Sequence, residues 1–305
     1  VPPRCLVCGG RGGGPAFPNA QSWIGRRFDY LNCSACGCVF IDPVPSTAEM
    51  DSLFDPARYH DLYYPDPTPT SEDEALVVRI RGLVGEGGTM LDFGCGNGRL
   101  LRAARGIGLA AEGVERTEAV ATLAESNSGC RVRTTERLAG DAPVYGLIHL
   151  SDVLGHLADP AEAMRALERH LAPGGLFLVE GPLERQHSLV FYSAALSSFV
   201  RSRLLGGRAP DSPPHHLAIH SLQSQLHFFE AVLGYDCVDL EVWETGWPYS
   251  AAVGAGAAAA FKRLVARFAR RLSKTWMGRR IPLGNRFRAL LRPAPQRVAG
   301  EAPNR

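Results

Sequence analysis

Two groups of residues in this chain have the types and spacing for chemistry: two cysteine pairs near the start, and a glycine-rich turn followed by a carboxylate. Cys5-Leu6-Val7-Cys8-Gly9 and Cys33-Ser34-Ala35-Cys36-Gly37 form a Cys-x2-Cys-x24-Cys-x2-Cys arrangement. Two intervening residues let one tight turn aim both sulfurs at the same metal ion, and a glycine after each pair suits that turn. Four thiolates satisfy tetrahedral Zn2+ and close the site to substrate, so Cys5, Cys8, Cys33 and Cys36 are expected to hold a structural zinc. Cys38 is not taken as a ligand. A redox-active pair is the alternative, but it needs no second pair at this spacing.

The second group is Met90-Leu91-Asp92-Phe93-Gly94-Cys95-Gly96-Asn97-Gly98-Arg99. A short apolar strand over 89–93 runs into a turn with glycine at alternate positions, and a helix begins at 99. Glycine lets a backbone approach a ligand closely and reach positive φ, and the helix start offers free N–H groups. The glycines do not fit G-x-G-x-x-G, and no Lys-Ser or Lys-Thr follows, so neither the dinucleotide fingerprint nor a P-loop is present. Glu115 stands 17 residues beyond Gly98, at the end of the next strand. A carboxylate there can accept hydrogen bonds from ribose hydroxyls. An ordinary strand–helix connection is the competing reading.

The elements that must position these groups alternate. Helices are expected at 71–84, 99–106, 117–127, 160–171 and 221–233. Strands are expected at 89–93, 111–114, 131–134, 145–150, 176–180, 235–243 and 286–291. Thr117 is a plausible cap, and Pro173-Gly174-Gly175 a stop before the fifth strand. Such alternation predicts βαβ units and a mostly parallel sheet. Residues 1–45 read as a separate cysteine module. Residues 46–70 read as a proline-rich connector with a short helix from Ser46, where Glu49 completes a capping box. The main domain is placed at 71–250, with an apolar, helix-like insert at 183–215. Residues 251–305 hold a basic amphipathic helix and the last strand.

Three runs carry a resemblance. Residues 90–99 resemble motif I of class I S-adenosylmethionine-dependent methyltransferases. Leu150-Ser151-Asp152-Val153-Leu154-Gly155-His156-Leu157 resembles that family's motif after strand 4, with Gly155 where relatives often carry Glu. Leu171-Ala172-Pro173-Gly174-Gly175-Leu176 resembles its turn before strand 5. The resemblance covers about 71–243 and implies a Rossmann-like, mostly parallel seven-stranded sheet with helices on both faces. By position it implies that Asp92, Gly94, Cys95 and Gly96 line S-adenosylmethionine. Glu115 would hold the ribose, and Ser151 would lie near the methionine or adenine end. The cysteine module, with Tyr30 to Ser46, Arg58-Tyr59 and Tyr63-Tyr64, resembles the zinc-ribbon start of bacterial methyltransferases that act on sugars, cell-surface glycans and natural products. A small-molecule or glycan acceptor is therefore expected, with O-methylation slightly favoured over C-methylation.

Methyl transfer to a hydroxyl needs a base, and histidine suits neutral pH. His216 lies in Pro214-His215-His216-Leu217, which resembles a Pro-x-His-Leu segment of the relatives; it is the first candidate and His156 the second. Packing or capping is the alternative role for each. His187 and Tyr192 are expected to line the acceptor pocket.

Composition sets the outer bounds. The chain has 305 residues, 45% of them apolar, enough for one large core and a small satellite. Net charge is +2, yet residues 251–305 carry 13 Lys or Arg and one acid, Glu301, which leaves the body acidic. A basic amphipathic face at 261–274 is either a solvated helix or a seat on an anionic membrane surface. No membrane span or secretory leader is read, so a cytoplasmic protein is expected, at most peripheral at the inner membrane. The pattern carries no signal for oligomeric state. Two rival functions remain. An RNA methyltransferase would use the zinc module and basic tail, but the acidic body lacks an aromatic-basic stripe and no nucleic-acid partner is expected. A non-catalytic zinc-ribbon binding protein on this scaffold would have no need of the glycine turn and Glu115.

Overall fold

A computed structural model of the chain describes residues 2–53, 66–140, 144–186, 213–243 and 284–294, with isolated positions 192, 196, 200, 204, 264 and 271. Most of the expected insert at 183–215 (187–212 apart from four isolated positions, and so His187) and nearly all of the basic helix at 261–274 lie outside the described residues. So do Arg58-Tyr59 and Tyr63-Tyr64. No helix among the described residues is long and apolar enough to cross a membrane.

The chain opens with an antiparallel hairpin, β1 (Gly12–Trp23) and β2 (Arg26–Cys33), followed by β3 (Val39–Asp42). Helix α1 (Thr47–Leu53) follows. Its capping box joins the Ser46 N–H to Glu49 Oε2 at 2.7 Å and the Glu49 N–H to Ser46 Oγ at 3.4 Å.

The main domain then runs α2 (Ser71–Val84), β4 (Thr89–Phe93), α3 (Arg99–Gly106), β5 (Ala110–Glu115), α4 (Glu118–Ser128), β6 (Val132–Thr134), α5 (Thr135–Gly140), β7 (Tyr145–Ser151), α6 (Pro160–Glu168) and β8 (Leu171–Pro182). A two-residue strand, β9 (Ala218–Ile219), leads into α7 (Leu222–His227) and one π-helical turn, Phe228–Val232. The strands β10 (Asp236–Trp243) and β11 (Arg286–Arg292) complete it.

Seven strands form one sheet in the order β10-β11-β8-β7-β4-β5-β6, parallel except for β11, which runs antiparallel to both β10 and β8. Strand order reverses between β4 and β7, which creates a crevice at their carboxyl ends. The strict alternation of a pleated strand gives each face its own core. On one face Met90, Leu147, Leu178 and Leu290 pack under Val77 and Ile80 of α2 and Leu100 and Ala104 of α3. On the other, Leu91, Ile148, Val179 and Ala289 join Met164, Leu167, Phe228 and Phe229.

Two expected boundaries moved. The helix expected over 160–171 ends at Glu168, and β8 already begins at Leu171, running through Pro173-Gly174-Gly175. Tyr145 pairs with Leu171 and Leu147 with Leu176, so these residues form a bulge in the ladder and not a stop before it. The second sheet, β1-β2-β3-β9, was not expected as a sheet, and its last strand comes from beyond β8.

Candidate active site

The turn after β4 is built by its backbone. The Gly94 N–H donates to Val114 O at 2.8 Å, and the Gly98 N–H closes the turn on Cys95 O at 3.0 Å. Gly94 and Gly98 have φ of +78° and +81°. A Cβ at Gly94 would meet Val153 Cγ2 at 2.5 Å, and one at Gly98 would meet Ala124 O at 2.6 Å. At Gly96, also at positive φ, a Cβ would meet nothing within 4 Å. The turn is thus packed from behind and open in front, as a cradle for a ligand must be. Cys95 contributes its backbone, while its thiol packs with Leu101, Ala121 and Ala124.

Glu115 ends β5 facing this turn. Its Oε1 accepts the Gly96 N–H at 2.6 Å and its Oε2 the Arg116 N–H at 3.0 Å. Burial pushes its carboxyl up to about 7, against the pull of those two N–H groups and with a further push from Asp92. Asp92, also buried, lies two residues before Gly94.

Ser151 is the last residue of β7, opposite Glu180 of β8. Beyond it Asp152 adopts φ +56° and accepts a hydrogen bond from Arg286 at 2.8 Å. A pocket opens here, walled by Val153, Leu154, Glu180, Glu184, His216 and Gln225, among others. Val153 forms part of this wall and also backs Gly94, so pocket and glycine turn are neighbours.

His216 sits in the wall with its Nδ1 2.7 Å from Glu184 Oε2. Burial alone would lower its pKa; the Glu184 carboxylate more than offsets this, and the net effect raises it. His156 lies beside it, ring centroids 4.7 Å apart, and its Nδ1–H donates to the His215 carbonyl at 2.5 Å. Burial, then the neighbouring His216, push His156 down to about 3, so it stays neutral. A Cβ at Gly155 would come within 3.2 Å of Ala218 O and 3.3 Å of His216 Cδ2, so a side chain there would press on the His216 ring. Gln225 is 2% exposed, and its Nε2 has no hydrogen-bond partner among the described residues. Glu184 and Gln225 had no spacing signal to mark them. Tyr192 is exposed.

The four expected metal ligands do converge: the Sγ atoms of Cys5, Cys8, Cys33 and Cys36 all lie within 4.8 Å of one another. Separations of 3.8 Å for Cys5–Cys36 and 3.5 Å for Cys8–Cys33 suit sulfurs at the corners of a tetrahedron around zinc. The donor set therefore fits the ion. Cys38 stands closer than the sequence suggested: its fully buried Sγ lies 3.2 Å from Cys5 and 3.3 Å from Cys36.

A doubly wound sheet of this order, with a glycine turn and a facing carboxylate at its switch point, defines the nucleotide-binding α/β class. Within that class, residues 73–232 match the family model described as a methyltransferase domain, and the chain belongs to that family. Similar curated proteins include the ubiquinone biosynthesis O-methyltransferase of Caulobacter vibrioides, 27% identical over 52% of this chain and 64% of that one. The protein of the same name from Pseudomonas paraeruginosa is 36% identical over 31% of this chain and 43% of that one. This chain spans less than two thirds of the length of either. Among solved structures, the plantazolicin methyltransferase BpumL in complex with SAH is similar at 14% identity and a TM-score of 0.47, over 80% of this chain and 93% of that chain.

Proposed function

We propose that the protein is an S-adenosylmethionine-dependent methyltransferase acting on a hydroxyl of a small molecule or glycan. The observation that carries this is the open glycine turn at the switch point, with the Glu115 carboxyl 2.6 Å from the Gly96 nitrogen. Asp92, Gly94, Gly96 and the Cys95 backbone line the cofactor, Glu115 takes the ribose hydroxyls, and Ser151 lies toward the methionine or adenine end. When bound, the cofactor supplies an electrophilic methyl group on a sulfonium. The chain's own work is then to hold the acceptor in line with it and to remove one proton.

His216 takes that proton at Nε2. Its Nδ1–H points at Glu184, which fixes the tautomer and steadies the imidazolium once formed. His156, held neutral, supports the ring of His216 and is the weaker base. Names of the curated relatives favour an oxygen acceptor; the resemblance of the cysteine module favours a sugar or natural product. Cys5, Cys8, Cys33 and Cys36 hold a structural zinc.

Calorimetric titration with S-adenosylhomocysteine tests the reading. Wild type binds, and Glu115→Ala weakens binding roughly 10- to 100-fold, the worth of hydrogen bonds to a charged group. An unchanged affinity would remove Glu115 from the cofactor site. Release of S-adenosylhomocysteine in the presence of a catechol or a free hexose then separates the acceptor classes.

A further inference from the structure

The face of the sheet under α2 and α3 carries two rows of side chains. The first row is apolar: Met90, Leu147, Leu178 and Leu290. Nearer the site, the same face of these four strands carries a staggered charged row: Asp92 opposite His149, then Glu180 one pleat further along β8, opposite Arg288. His149 is 2% exposed in the centre of β7. Its Nδ1 lies 2.8 Å from Asp92 Oδ1 on β4, and its Nε2 lies 3.3 Å from Glu180 Oε1 on β8. The other oxygen of Glu180 accepts from Arg288 at 3.0 Å. Arg288 reaches Glu241 on β10 at 3.5 Å, and Arg79 of α2 closes the row on Glu241.

A buried imidazole with a carboxylate at each nitrogen satisfies both only by donating from both, as an imidazolium. Without it two carboxylates would face a buried gap, an arrangement costing far more than any apolar replacement. Burial opposes that charge, but Asp92 and Glu180 together hold His149 protonated up to about 9. The two carboxylates serve different places. Asp92 stands just ahead of the glycine turn; Glu180 is in the wall of the acceptor pocket.

We propose that His149 is a positioning residue that joins the two halves of the methyl-transfer site, fixing Asp92 beside the cofactor turn and Glu180 beside the acceptor as one hydrogen-bonded unit. This rests on the methyltransferase reading above. Its consequence is that a change at Glu180, which is separated from β4 by the whole of β7, is felt in cofactor affinity.

The test is a set of S-adenosylhomocysteine titrations on wild type, Glu180→Gln, His149→Leu and the double variant. Glu180→Gln weakens binding about tenfold in wild type and less than about twofold once His149 is gone, because the route is lost. Equal effects of Glu180→Gln in both backgrounds would overturn the proposal, whatever happens to thermal stability. Should His149→Leu fail to fold, NMR of labelled histidine carries the test. Wild type shows two persistent ring N–H protons for His149, and Glu180→Gln loses one of them along with affinity. Glu180→Gln binding as wild type, with both protons retained, overturns it. If wild type itself does not bind, the methyltransferase reading fails first and this inference with it.

Discussion

Glu115 occupies a position whose electrostatics oppose it until a ligand arrives. Its carboxyl, raised to about 7 chiefly by burial, is half protonated near neutrality. For a folded-state pKa raised above the usual 4.5, the stabilising contribution is complete below the ordinary value and lost as pH rises through 7. By pH 8 that contribution, roughly 3 kcal/mol, is lost. In the proposed role of Glu115, ribose hydroxyls would donate to the charged form, so cofactor binding would pull the proton off. Affinity for S-adenosylhomocysteine should fall as pH drops from 8 to 6, approaching tenfold per unit below 7, with net proton release visible in buffers of different ionisation enthalpy. Identical affinities at pH 6 and pH 8 would show that the carboxylate is not what the ligand needs. The His216–Glu184 pair sets the opposite handle. With Glu184 holding the imidazole pKa up, kcat/KM should rise with pH along a limb lying above the ordinary histidine value of 6.5. Glu184→Gln should move that limb to lower pH, and a limb that stays put means another group is the base.

At the scale of elements, the cysteine hairpins and the pocket beside the glycine turn are one construction. Strand β3 pairs with β9 through Val39–Ile219 and Phe40–Ala218. The Ile41 N–H donates to Leu217 O at 3.0 Å, and the Tyr30 hydroxyl to His216 O at 3.0 Å. The backbone of His216 is therefore held by the sheet that carries the cysteines. If the four cysteines hold zinc as proposed, a chelator should raise the acceptor KM or abolish turnover, while leaving S-adenosylhomocysteine affinity within about twofold, since the glycine turn belongs to the other sheet. Equal loss at both would mean the whole core had opened. Local signals made much of this legible: Thr117 does cap α4 through the Val120 N–H, and α2, β4 and α3 fall at their expected limits. What was hidden is non-local. Gly12-Gly13-Gly14 and Pro15 obscure the alternation of β1, and β9 is only two residues long. His149 in an apolar strand reads as core until its neighbours on β4 and β8 are known.

Across the whole molecule, the alternation of strands and helices and the mostly parallel sheet were legible, because they depend on residues close in sequence. The pocket wall was not. Glu184, His216 and Gln225 meet only because β8, β9 and α7 return to one edge of the sheet, and no spacing encodes that return. The borrowed strand β9 has a consequence for how the chain is made. On a ribosome, β1 to β3 emerge long before β9 exists, so the nascent hairpin exposes β3 as an open edge while most of the protein is still being translated. An ion gripped by the four early thiolates would stiffen that fragment in the interval. Starved of metal during synthesis, the unfinished edge is left free to pair with neighbouring chains, and aggregation would precede any loss of catalysis.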